Sequence, residues 1–152
     1  MKKILIINGP NLNLIGSRQQ ETYGQTPFTE ILEELKDFSS KNDIALDYFQ
    51  SNIEGEIIDK IHSSLKTKDF IIINPGALTH YSYSIYDALL AVKIPVLEVH
   101  ITNIFAREQW RQKSVVSPAV LGVLSGLGTD VYIVALMYIA RYFKKNDISQ
   151  KK

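Results

Sequence analysis

Cysteine is absent from all 152 residues. That removes disulfide staples, thiolate zinc sites, iron–sulfur ligation and cysteine nucleophiles together, and it accords with a cytoplasmic address. Net charge is nearly absent as well: 17 Lys and Arg stand against 16 Asp and Glu, a formal +1. No strong field therefore draws the chain to nucleic acid or to an acidic membrane surface. Long apolar runs are missing too. Met1-Lys2-Lys3 followed by Ile4-Leu5-Ile6-Ile7 imitates a signal peptide, but Asn8-Gly9-Pro10-Asn11 ends the run too soon for export. Residues 114–140 carry only Asp130 as a charge, yet Pro118, Gly122, Gly126 and Gly128 divide the stretch. It reads as a strand followed by a helix, not as a membrane span.

What is present is an ordinary globular composition, 45% apolar and 22% charged, at a length that suits one domain. Residues 1–143 are expected to form a single catalytic domain and residues 144–152 a polar, frayed C-terminal tail. No internal repeat, low-complexity tract or interdomain linker interrupts the chain.

Short apolar runs rich in β-branched residues alternate with stretches of helical period, the pattern of a parallel sheet covered by helices on both faces. Five units are expected, with strands at 3–7, 44–49, 70–73, 95–99 and within 119–124. Phe28, Ile31, Leu32, Leu35 and Phe38 mark the first helix, with Thr26 as its cap and Pro27 at its first position. Ile57, Ile58, Ile61 and Leu65 mark a helix over 54–65, and Ile85, Ala88, Leu89 and Val92 mark another. A short helix is expected over 104–111. The last, over 131–143, is apolar on nearly every face, which calls for burial in the core or against another subunit.

In such sheets ligands bind beyond the carboxyl ends of the strands, near the point where the connections reverse. The segments there are Asn8-Gly9-Pro10-Asn11, Asn74-Pro75-Gly76 and His100-Ile101-Thr102-Asn103. A phospho-acceptor receiver needs acidic residues where this chain has Asn8 and Asn74. Neither a Walker loop nor Gly-x-Gly-x-x-Gly after the first strand occurs, Gly126-Leu127-Gly128 being only a misplaced fragment, and no hydroxyl-rich phosphate loop follows that strand. Nucleotide binding is disfavoured.

The long connection over 9–26 has the length of a lid or binding loop and carries Arg18 and Tyr23. A guanidinium within about 4–6 Å lowers the phenol's pKa from about 10, so that Tyr23 can abstract a carbon-bound proton; an exposed Arg and a packed Tyr are the bland alternative. Alternation places Glu98 and His100 on the same side of their strand, where a carboxylate orients an imidazole for proton delivery; a capping histidine fits equally. His80 can meet a ligand together with Asn74 or serve structure alone. His62 flanks a core stripe and is set aside. A catalyst and a noncatalytic module that binds a small ligand at the same strand ends both remain open on these residues.

Ile7-Asn8-Gly9-Pro10-Asn11-Leu12-Asn13-Leu14, Arg18 with Tyr23-Gly24, Asn74-Pro75-Gly76-Ala77 with His80, and Glu98-Val99-His100-Ile101-Thr102-Asn103 with Ala106-Arg107-Glu108 and Arg111 resemble type II 3-dehydroquinate dehydratases over residues 3–142. The resemblance implies a flavodoxin-like three-layer α/β/α sandwich and conversion of 3-dehydroquinate to 3-dehydroshikimate in the shikimate pathway of aromatic amino acid biosynthesis, with no metal and no cofactor. It implies Tyr23 as the base that forms an enolate, Arg18 as the cation that keeps Tyr23 ionised, and His100 as the acid, oriented by Glu98. Asn11 would place a water on the enolate oxygen. Asn74, His80, Arg111 and the backbone amides of Ile101 and Thr102 would hold the substrate. It also implies a dodecamer built of trimers in which Asp87 reaches a neighbouring subunit's site. Two positions depart from the family pattern: Asp130 replaces a usual glycine, and Gln109-Trp110 replaces a commoner acidic residue and phenylalanine.

Overall fold

A computed structural model describes residues 1–17 and 20–149, without the side chains of Gln20, Tyr23 and residues 147–149. The strands β1 (Lys2–Asn8), β2 (Ile44–Gln50), β3 (Phe70–Asn74), β4 (Val96–His100) and β5 (Gly122–Ser125) form a parallel sheet in the order β2-β1-β3-β4-β5. The helices are α1 (Gln20–Tyr23), α2 (Phe28–Lys41), α3 (Glu54–Ser63), α4 (Tyr83–Val92) and α5 (Asp130–Ser149).

The central strands β3 and β4 are buried along their whole length. They can be apolar at consecutive positions because helices cover both faces of the sheet. Alternation along β1 divides its side chains between the two layers. Ile4 and Ile6 pack with Phe28, Ile31 and Leu35 of α2 and with Val131, Leu136 and Ile139 of α5. Leu5 and Ile7 pack with Ile57 and Ile61 of α3 and with Ile85 and Leu89 of α4. The expected three-layer α/β/α arrangement is the one observed.

Several boundaries differ from the sequence reading, each for a local reason. Pro27, not Thr26, caps α2: its ψ of 145° is extended, so the helix starts one residue later. The helix expected over 104–111 is two 3-10 turns, Ile104–Ala106 and Gln109–Gln112. Arg107 between them is extended, at φ −110° and ψ −162°, which breaks the hydrogen-bond ladder a helix needs. Helix α5 continues past residue 143 to Ser149. Residues 150–152 lie outside the described residues. Among the described residues, no helix is long and apolar enough to cross a membrane.

The chain leaves β1 for β2 on one side and then returns to β3 on the other, so the connections reverse between β1 and β3. The two loops there touch. The Gly9 amide donates to the Asn74 carbonyl at 2.8 Å, and a Cβ on Gly9 would lie 2.4 Å from the Pro75 carbonyl oxygen. Only glycine allows this approach. The connection after β1 is anchored near its start, where Leu12 and Ile15 are buried in the core.

Candidate active site

A cleft of ≈ 180 Å³ opens at the carboxyl ends of β1, β3 and β4, lined by Asn11, Asn74, His80, His100, Ile101, Thr102 and Arg111 among others. Seven of the positions nominated from the sequence therefore meet in one place. Glu98 lies behind it, fully buried. Asp87 is exposed on α4 and does not line the cleft of its own chain. Arg18 and the Tyr23 side chain lie outside the described residues. The backbone of Tyr23 ends α1, and Gly24, at φ 84°, follows it.

His100 is the last residue of β4 and is 5% exposed. Its Nε2 lies 2.6 Å from Glu98 Oε1. A carboxylate can only accept, so Nε2 carries a proton and any exchange with a ligand falls to Nδ1. Glu98 is further held by hydroxyls: Thr79 Oγ1 and Ser114 Oγ donate to Oε1, the latter at 3.3 Å, and Ser117 Oγ donates to Oε2 at 2.7 Å. Burial pushes the Glu98 carboxyl up, but the hydrogen bond and charge of His100 and the hydroxyls of Ser117 and Thr79 outweigh it, holding the group below its ordinary value.

That direction sets a pH signature. A carboxyl whose folded pKa lies below its unfolded value of about 4.3 adds stability above that value, and loses it as pH falls through the folded pKa. The Tm gap between wild type and Glu98→Gln is therefore expected to narrow as pH falls below about 4. Thermal melts across this range check it, and a gap that does not narrow by about pH 3 would contradict a depressed Glu98.

His80 projects from a 3-10 turn, Gly76–His80, that follows β3. Its Nδ1 lies 2.7 Å from the Lys113 carbonyl oxygen, so Nδ1 carries the proton. Burial, with the charges of His100 and Arg111, outweighs that hydrogen bond and holds the ring below its ordinary value. A neutral His80 then offers Nε2 as an acceptor for a ligand hydroxyl. Arg111 donates from Nε to Glu108 Oε2 at 2.8 Å, which leaves its terminal nitrogens as the fork for a carboxylate. Asn11 takes the left-handed conformation, φ 68°, and its backbone N–H donates to Asn52 Oδ1 at 2.9 Å. The site thus joins a carboxylate–imidazole pair, a neutral imidazole, two amides and a guanidinium.

The family described as Dehydroquinase class II matches residues 2–140. The chain belongs to the class II dehydroquinase family. It is 55% identical over 137 residues to a 3-dehydroquinate dehydratase of Caldicellulosiruptor saccharolyticus, covering 90% of this chain and 94% of that one. It is 50% identical over 143 residues to a 3-dehydroquinate dehydratase of Clostridium perfringens, covering 93% and 98%. The crystal structure of a type II dehydroquinase from Butyrivibrio crossotus superposes with a TM-score of 0.88 at 43% identity, covering 90% of this chain and 96% of that one.

The site also holds polar residues that the sequence alone did not nominate. Tyr132 of α5 is fully buried. Its hydroxyl donates to Asn8 Oδ1 at 2.8 Å and accepts from Asn74 Nδ2 at 3.1 Å. Burial outweighs those bonds and pushes the phenol up, so it stays neutral and can donate. The hydroxyl joins the ends of β1 and β3 and fixes the Asn74 amide that faces the cleft. A tyrosine within an apolar helix is the available signal, since a buried hydroxyl needs a partner. Ser114, Ser117 and Asn52 carry no such signal, because their partners are distant in sequence.

Tyr132→Phe leaves Asn8 Oδ1 and Asn74 Nδ2 without this partner. The expected cost is about 1–3 kcal/mol of stability, read as a fall of several degrees in Tm, with weaker substrate binding. A variant that melts and binds like wild type would show that the hydroxyl does not hold Asn74.

Proposed function

We propose that the chain dehydrates 3-dehydroquinate, the activity its relatives are named for, to 3-dehydroshikimate, a step of the shikimate pathway, through an enolate. The observation that carries this reading is the buried Glu98–His100 pair at the end of β4, opening on a cleft that also presents Asn74, His80 and Arg111. Tyr23, kept ionised by Arg18, takes the proton from the carbon beside the ketone; the C–H pair becomes the carbon–carbon double bond of the enolate and the carbonyl π pair moves to the ketone oxygen. A water placed by Asn11 stabilises that enolate. As the ketone re-forms, a carbon–carbon double bond forms and the C–O bond to the leaving hydroxyl breaks. That hydroxyl takes the proton from Nδ1 of His100 and departs as water. Glu98 balances the positive charge on a doubly protonated ring.

Binding follows from the same residues. The Arg111 fork suits the substrate carboxylate. Asn74, the neutral His80 and the amides of Ile101 and Thr102 suit its hydroxyls and carboxylate. A positioned base with electrostatic stabilisation of the enolate is sufficient for removal of a proton beside a ketone.

The functional unit in this reading is a cytoplasmic dodecamer, a tetramer of trimers, in which Asp87 completes a neighbour's site. Met137 and Tyr138 on α5 are 56% and 44% exposed in a single chain, and an assembly would cover such apolar surface. Light scattering is expected to give twelve subunits; the mass of one subunit would remove the role given to Asp87. Incubation with 3-dehydroquinate tests the activity. The ultraviolet absorbance of the conjugated enone should rise, and a substrate that stays unchanged would overturn the reading in favour of a noncatalytic binding module.

A further inference from the structure

The single tryptophan of the chain sits at the rim of the cleft. Trp110 is 53% exposed and belongs to neither core cluster. Leaving this much aromatic surface in water adds little to folding, so burial does not account for its place. Its ring contacts do. The Arg111 guanidinium carbon lies 4.0 Å from the Trp110 ring centroid, and the His80 ring meets Trp110 in a T-shape, with centroids 5.1 Å apart and planes at 84°. Both partners line the cleft, whereas Trp110 lines the shallow depression beside it with Tyr81, Gln109 and Lys113.

We propose that Trp110 is a positioning residue that presets Arg111 and His80 for a carboxylate-bearing, hydroxylated ligand. The proposal rests on the reading of the cleft as the dehydroquinate site. Arg111 is held at two points, with its Nε on Glu108 and its guanidinium carbon over the indole ring. An arginine side chain otherwise samples many rotamers, and ordering them at the moment of binding weakens affinity. His80 is likewise held at two points, by the Lys113 carbonyl and by the indole. One ring thus fixes a donor fork and an acceptor nitrogen against each other before any ligand arrives. Because the benefit is realised in the bound ground state and the transition state alike, its loss falls on KM and not on kcat.

Steady-state kinetics of Trp110→Ala, Trp110→Leu and Trp110→Phe beside wild type tests this. Trp110→Ala and Trp110→Leu are expected to raise KM about tenfold, equal to about 1.4 kcal/mol at 25 °C, with kcat within about threefold of wild type. Trp110→Phe keeps an aromatic face and is expected to restore KM to within about threefold. A purely structural role would lower Tm and would not separate leucine from phenylalanine. If wild type turns over 3-dehydroquinate and Trp110→Ala and Trp110→Leu keep its KM, the positioning role is overturned while the activity stands. If wild type forms no product, the site assignment falls and the positioning role falls with it.

Discussion

His100→Ala is expected to lower kcat by about 10²–10⁴-fold, the range a positioned general acid contributes, while KM stays near its wild-type value. His100 is 5% exposed, and Glu98 Oε1 lies 2.6 Å from its Nε2. In that geometry only Nδ1 can meet a leaving hydroxyl. Alanine removes this proton source and leaves Arg111, His80 and Asn74 to bind substrate, so the loss belongs to the second half of the elimination. The carboxylate is not orphaned, because Thr79, Ser114 and Ser117 still donate to it, and the variant is expected to fold. Glu98→Gln gives a matched control, since an amide cannot balance an imidazolium and should lower kcat in the same direction. A kcat for His100→Ala equal to wild type would dismiss the acid role.

Tyr23→Phe is expected to reduce turnover by at least about 10³-fold while the variant still folds. The chemical reason is the mismatch between a phenol, with a pKa of about 10, and a neutral medium. A base at that position works only if a nearby cation favours the phenolate, the part given to Arg18. Arg18→Ala then supplies the sign. Without the cation the phenolate forms only at higher pH, so the acidic limb of kcat/KM should move upward in pH. Kinetics from neutral to alkaline pH would show it. Retained activity in Tyr23→Phe would remove Tyr23 as the base, and an unmoved limb in Arg18→Ala would remove the coupling.

The sheet was legible because its central strands carry uninterrupted apolar runs that only burial on both faces can accommodate, as in Phe70-Ile71-Ile72-Ile73. The pairing of Glu98 with His100 was legible from strand alternation alone. Local geometry was less so. Residues 104–111 have a helical look, but the chain breaks at Arg107, whose Nη1 donates to Thr102 Oγ1 at 3.2 Å. The hydroxyl cage around Glu98 was not legible, because Thr79, Ser114 and Ser117 reach it from segments that only the fold brings together. Tyr132 was hidden for the same reason: its partners Asn8 and Asn74 sit on two strands far from α5 in sequence. Spacing finds residues that share an element, whereas partners drawn from separate elements need the tertiary structure.

A base on one side and an acid on the other imply two separable steps. Proton NMR of 3-dehydroquinate incubated with His100→Ala in heavy water tests that separation most directly. Solvent deuterium should enter the carbon beside the ketone while almost no enone forms, and the same incubation with Tyr23→Phe should show neither. Substrate recovered from His100→Ala with its original hydrogen in place would contradict a proton removal that precedes the loss of water.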